Sequence, residues 1–181
     1  MTRLRQRPDL PPTVPTFGWR RYGSAVPACL NVYVWVRTDN RPSVLAPFID
    51  RYVDADRPGE PRFPAFLRTF VAIEPDVGDL DALSDLRRDD AARSAFSLYL
   101  HARTHHEAII TVTEEGDLVL GLGLDEASSE LATRDLAATL MLELIEEFGA
   151  TGGVAGIELP PPQSAVEWLD DGLVMLRVGS V

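Results

Sequence analysis

Apolar and polar residues alternate one for one in ACLNVYVWVRT. Leu30, Val32, Val34 and Val36 fall on one side and Asn31, Tyr33, Trp35 and Arg37 on the other, the period of a β-strand over residues 29–37. The period then changes. In SVLAPFIDRYVDA, Leu45, Phe48, Ile49 and Tyr52 stand at helical spacing, with Ser43 in place to cap the first turn and Pro47 either delaying the helix or bending it. DRPGEPRFP is a loop by its Pro and Gly content, and FLRTFVAIEP reads as a second strand that ends at Pro75. A short helix is expected from Asp79 to about Arg88. A longer one follows over residues 91–104, with Asp89 or Asp90 as its cap.

EAIITVTEEGDLVLGLGLD carries two apolar runs around a polar turn in which Gly116 can take positive φ, the pattern of a hairpin. Gly121 and Gly123 leave one face of its second strand bare, so a helix or another backbone is expected to approach there. Ala137, Leu140, Met141, Leu144, Ile145 and Phe148 form the apolar stripe of a helix over residues 133–148, with Gly149 as its left-handed C-terminal cap. GGVAGIEL supplies another strand and PPP a rigid connector. QSAVEWL is a short helix in which Ser164 and Glu167 have capping-box spacing, and DGLVMLRVGS gives a turn and a last strand.

These elements predict an α+β fold. A mixed or mostly antiparallel sheet would carry the 91–104 and 133–148 helices as its two main amphipathic partners. Strand, helix, strand recurs near residues 29–74 and 117–158, which suggests two similar halves, although no residue string repeats. Residues 1–18 read as a proline-rich arm and residues 19–181 as one domain, with sub-halves 19–90 and 91–181.

Composition narrows the function. A chain of 181 residues with 45% hydrophobic content can bury a core without staples, and its one cysteine, Cys29, cannot close an internal disulfide. Neither a secretion signal nor a membrane anchor is expected behind the arginines of MTRLRQRPDLPPTVP, so the cytoplasm is the expected compartment. Every basic residue is arginine. Lysine-dependent chemistry, such as a Walker phosphate loop or a Schiff base, is therefore excluded.

Charge is uneven along the chain. Met1 to His106 holds 15 arginines against 13 acids, a balance of +2, and Glu107 to Val181 holds 2 against 15, a balance of −13. An acidic half repels phosphate backbones, so nucleic acid is not an expected partner, and a basic protein is.

All three histidines fall in YLHARTHHEAIITV. On the expected helix His101 and His105 would share a face, a spacing that can hold a metal for a hydrolase with a remote carboxylate as third ligand. The zincin pattern requires Glu directly after the first His, and Ala102 stands there. At about 100° per residue both imidazoles turn away from the apolar face, as histidines at the negative end of a helix do; Leu98 falls on that outward side as a misfit. GLGLDEASSE and GATGGVAG place their glycines in strands and caps rather than at the start of a helix, so no cofactor loop is expected.

The leading expectation is a non-catalytic protein-binding module, of the general kind to which inhibitors and toxin-neutralising immunity proteins belong. Its partner-binding residues would be the hairpin-tip acids Glu114, Glu115 and Asp117, together with Trp168, Asp170 and Asp171. Trp168 could instead be core. The alternatives are a metal-dependent hydrolase built on His101 and His105, and a homo-oligomer.

Overall fold

The computed structural model describes residues 29–88, 94–125 and 130–181; the proline-rich arm and the Asp89 and Asp90 caps lie outside them. The fold is α+β. Its strands are β1 (Cys29–Val36), β2 (Phe96–Leu100), β3 (Glu107–Val112), β4 (Leu118–Asp125), β5 (Gly152–Ile157) and β6 (Leu176–Gly179), in the sheet order β2-β3-β4-β1-β5-β6. Every pairing is antiparallel, and β1 lies between β4 and β5 with Val34 opposite Leu120 on one side and Gly153 on the other. No helix among the described residues is long and apolar enough to cross a membrane.

Because side chains alternate across a strand, β1 feeds two cores. Leu30, Val32, Val34 and Val36 meet helices α1 (Arg41–Tyr52) and α4 (Glu130–Phe148) through Leu45, Phe48, Met141 and Leu144. Each such fully buried side chain contributes about 1.5–3 kcal/mol. Tyr33 and Trp35 face the other way, into a smaller core with Ile109, Val119, Val154 and Trp168.

That second face is covered by one strap of chain. After β5, Leu159 accepts a 2.9 Å hydrogen bond from the Tyr33 hydroxyl, and Gln163 Nε2 donates to Ser97 Oγ on β2 at 3.1 Å. Beyond it lies α5 (Ala165–Trp168). Its cap is Ser164, whose Oγ accepts from the Glu167 amide, while Glu167 Oε2 takes the Gln163 amide rather than closing the expected capping box on Ser164.

Several expectations are corrected. Residues 96–100 form a strand and not part of a 91–104 helix, with Phe96, Leu98 and Leu100 buried and Tyr99 exposed. The Leu98 misfit was the trace of the wrong period: as a strand residue it points into the main core, where it is 0% exposed. Residues 63–72 are helical, not a strand, because α2 (Phe63–Phe66) continues into a π-helical turn, Leu67–Ala72, that ends at left-handed Ile73. The first strand-helix-strand half therefore does not exist, and the pair of similar halves falls with it. The long helices packed on the main-core face among the described residues are α1 and α4.

The cap of α1 is Asn40, whose Oδ1 accepts from the Ser43 amide, and the helix runs through Pro47 without the bond its missing N–H would have given. A short helix, α3 (Asp79–Ser84), follows the π-helical turn. At Gly121 the room is taken by the Tyr33 ring, and at Gly123 by the Glu107 and Cys29 side chains, instead of by a helix or a backbone.

Candidate functional site

The hairpin tip is held by its own turn and by α5. Gly116 has φ 87° and donates to the Thr113 carbonyl, which the tight reversal requires. Asp117, half-buried, accepts from Trp35 Nε1 at 2.9 Å and lies 3.8 Å from Arg37, so this carboxylate fixes the end of the sheet. Glu115 Oε1 takes the free amide of Ala165 at 2.8 Å, and the Glu114 amide donates to the Gln163 carbonyl. The tip is thereby joined to the start of α5. Glu114 and Glu115 meet the segment that opens α5, whereas Trp168 ends that helix and Asp170 and Asp171 lie in the turn after it.

Trp168 is core: it is 1% exposed and stands edge-on to Trp35. Apolar neighbours of Trp168 in the chain are exposed, Val166 at 80%, Leu169 at 65% and Leu173 at 55%. A signal for them was present, since Val166 and Leu169 are three apart, on the side of the turn opposite Trp168. One short helix cannot bury both sides.

A cavity of about 280 Å³ is lined by Leu159, Pro160, Pro162 and Val174 with buried Trp168, and by the charged side chains of Arg88, Glu167 and Asp170. Arg88 Nη1 pairs with Glu167 Oε1 at 2.9 Å. Arg177 pairs with Asp171 at 2.7 Å and also donates to the Trp168 carbonyl, pinning the turn after α5. Asp170 Oδ1 accepts from the Gly172 amide.

A second cavity, about 440 Å³, lies between the hairpin tip and the π-helical turn, where Arg41 donates to the Gly116 carbonyl and its guanidinium sits 5.6 Å from the Phe70 ring centre. The Thr69 hydroxyl in its wall is buried without a hydrogen-bond partner among the described residues, and Ile73, at φ 57°, is a β-branched residue in the left-handed region.

The charge division along the chain is not a division in space. Arg37, Arg51 and Arg88 of the first half pair with Asp117, Glu147 and Glu167 of the second. Acids remain in excess over the whole chain, at a net −11.

The histidines occupy a loop, and the shared helical face that would bring His101 and His105 together is absent. His101 Nδ1 bonds the Arg57 carbonyl, His105 lies against Tyr52 with ring centres 5.7 Å apart, and His106 Nδ1 is 3.5 Å from Asp125. Among the described residues no three His, Cys, Asp or Glu side chains converge on one point where a metal ion could sit. Cys29 is half-buried, and burial, then Glu107 and Glu158, push its thiol up to about 11, so at neutral pH it carries its proton and is a poor nucleophile. Comparison with protein-family models, curated proteins and solved structures finds no match to this chain.

Proposed function

We propose that the chain is a non-catalytic protein-binding module of the cytoplasm that receives a basic protein on the face formed by α5 and the turn after it. The observation that carries this reading is a cavity lined in part by exposed Leu173, Glu167 and Asp170, together with Val166 and Leu169, which α5 and the residue after it leave exposed. An apolar centre inside a polar rim is the usual anatomy of a recognition surface, and contiguous exposed apolar residues mark such surfaces. The net charge of −11 steers a basic partner toward the molecule and disfavours an acidic one. A partner that is neutralised by such contact is the inhibitor or immunity type of interaction.

The test is capture of a basic protein by the immobilised full chain. The wild type and a control variant on α4, Leu131→Asp, retain it, and Leu169→Asp releases it. Equal retention by Val166→Asp and Leu169→Asp excludes this face. A wild-type dimer in sedimentation velocity that Leu169→Asp dissociates replaces the basic partner by a second copy of the chain.

A further inference from the structure

The cavity behind this face has a chemistry more specific than apolar contact. Its lining combines the hydrocarbon surfaces of Leu159, Pro160, Pro162 and Val174 with three charged side chains, Arg88, Glu167 and Asp170. Two of them neutralise each other: Arg88 pairs with Glu167 and also donates to the Pro161 carbonyl, and the remaining oxygen of Glu167 holds the Gln163 amide. The third, Asp170, has one hydrogen bond, from the Gly172 amide, and among the described residues no arginine pairs with its carboxylate. The nearby Arg177 directs its guanidinium to Asp171 and to the main-chain carbonyls of Trp168 and Asp170. Trp168, buried in the wall, has an indole N–H with no acceptor among the described residues.

A largely apolar cavity whose lining includes an exposed carboxylate without a basic counter-ion matches a side chain made of methylenes ending in a cation. Such side chains lay their stems on apolar surface and keep the charged head at the wet end. We infer that the cavity receives one arginine or lysine side chain of the partner, with its methylenes against Leu159, Pro162 and Val174 and its cation on Asp170. The inference rests on the docking face proposed above and names the group that anchors it.

The probe is n-butylguanidinium chloride, titrated into the isotope-labelled full chain and followed by proton–nitrogen NMR. Saturable shifts are expected at the Trp168 indole N–H and the Gly172 amide. Affinity is expected to fall about three- to fivefold in Asp170→Asn, the loss of one half-exposed ion pair, and to stay unchanged in Glu143→Gln on α4. A thermal midpoint equal to wild type establishes that Asp170→Asn is folded. Sodium butyrate or n-butanol producing the same saturable shifts overturns the cation assignment, as does the absence of saturation with butylguanidinium. Neither result touches the docking face, which stands or falls on capture by Leu169→Asp.

Discussion

The indole of Trp168 stands edge-on to that of Trp35, with ring centres 5.4 Å apart and planes at 77°. This contact joins the central strand to a helix of four residues, which is too short to persist through its own hydrogen bonds. The orientation of Val166 and Leu169 therefore depends on Trp168 remaining buried. Trp168→Ala is expected to cost about 3–5 kcal/mol in urea unfolding, and Trp168→Phe less, because a ring still fills part of the site. An unchanged unfolding midpoint in Trp168→Ala would show that α5 is not anchored by this ring.

Gly121 on β4 lies opposite Tyr33, and a methyl group placed there would run into the tyrosine ring. The ring cannot step aside: it is 1% exposed and its hydroxyl is held by Leu159. Gly153 is equally crowded, but by Met141, an unbranched side chain that can change rotamer. Gly121→Ala is thus expected to lose about 1–3 kcal/mol and Gly153→Ala less. Thermal unfolding of the two variants checks the order, and Gly121→Ala placed in a Tyr33→Ala background should add little further loss.

The elements with enough residues to show a period were legible in the sequence: the β1 alternation, the α4 stripe and the β3–β4 hairpin. β2 has only five residues, and the alanine-rich approach to it resembles a helix, so the strand was hidden until Leu98 is seen as alternating with Phe96 and Leu100. The π-helical turn had no legible signature, since β-branched and aromatic residues in FLRTFVA favour a strand locally, and packing of Phe66 and Phe70 on Phe96 decides otherwise. Of the candidate site, the acids could be read but their partners could not. That Asp117 binds Trp35 while Asp170 has only a backbone amide depends on contacts between segments distant in sequence.

Under the strap, Ser97 Oγ and Thr111 Oγ1 are 2.8 Å apart, and Gln163 Nε2 donates to Ser97, with all three residues buried. Removing Ser97, which bonds both of the others, leaves Thr111 and Gln163 without these partners in a buried place. Ser97→Ala is expected to destabilise the chain by about 1–3 kcal/mol. Adding Gln163→Met to that variant should recover part of the loss, because the amide left unpaired goes with it. A double-mutant cycle in urea tests the coupling, and strict additivity would mean that Ser97 and Gln163 act independently.

His105 makes stability depend on pH in one direction. It is half-buried against Tyr52, whose hydroxyl donates to Glu147 on α4 and whose ring also carries Arg51, and burial holds the imidazole below its ordinary value of 6.5. Above that value both the folded and the unfolded chain have neutral His105, and its contribution to stability is complete. As the pH falls through 6.5 the unfolded chain takes up the proton first, so stability declines, and the decline stops only below the folded-state pKa. His105→Gln removes this term. Between about pH 7.5 and about pH 5.5 the thermal midpoint of the wild type is expected to drop further than that of His105→Gln, and equal drops in the two proteins would assign the pH dependence to other groups.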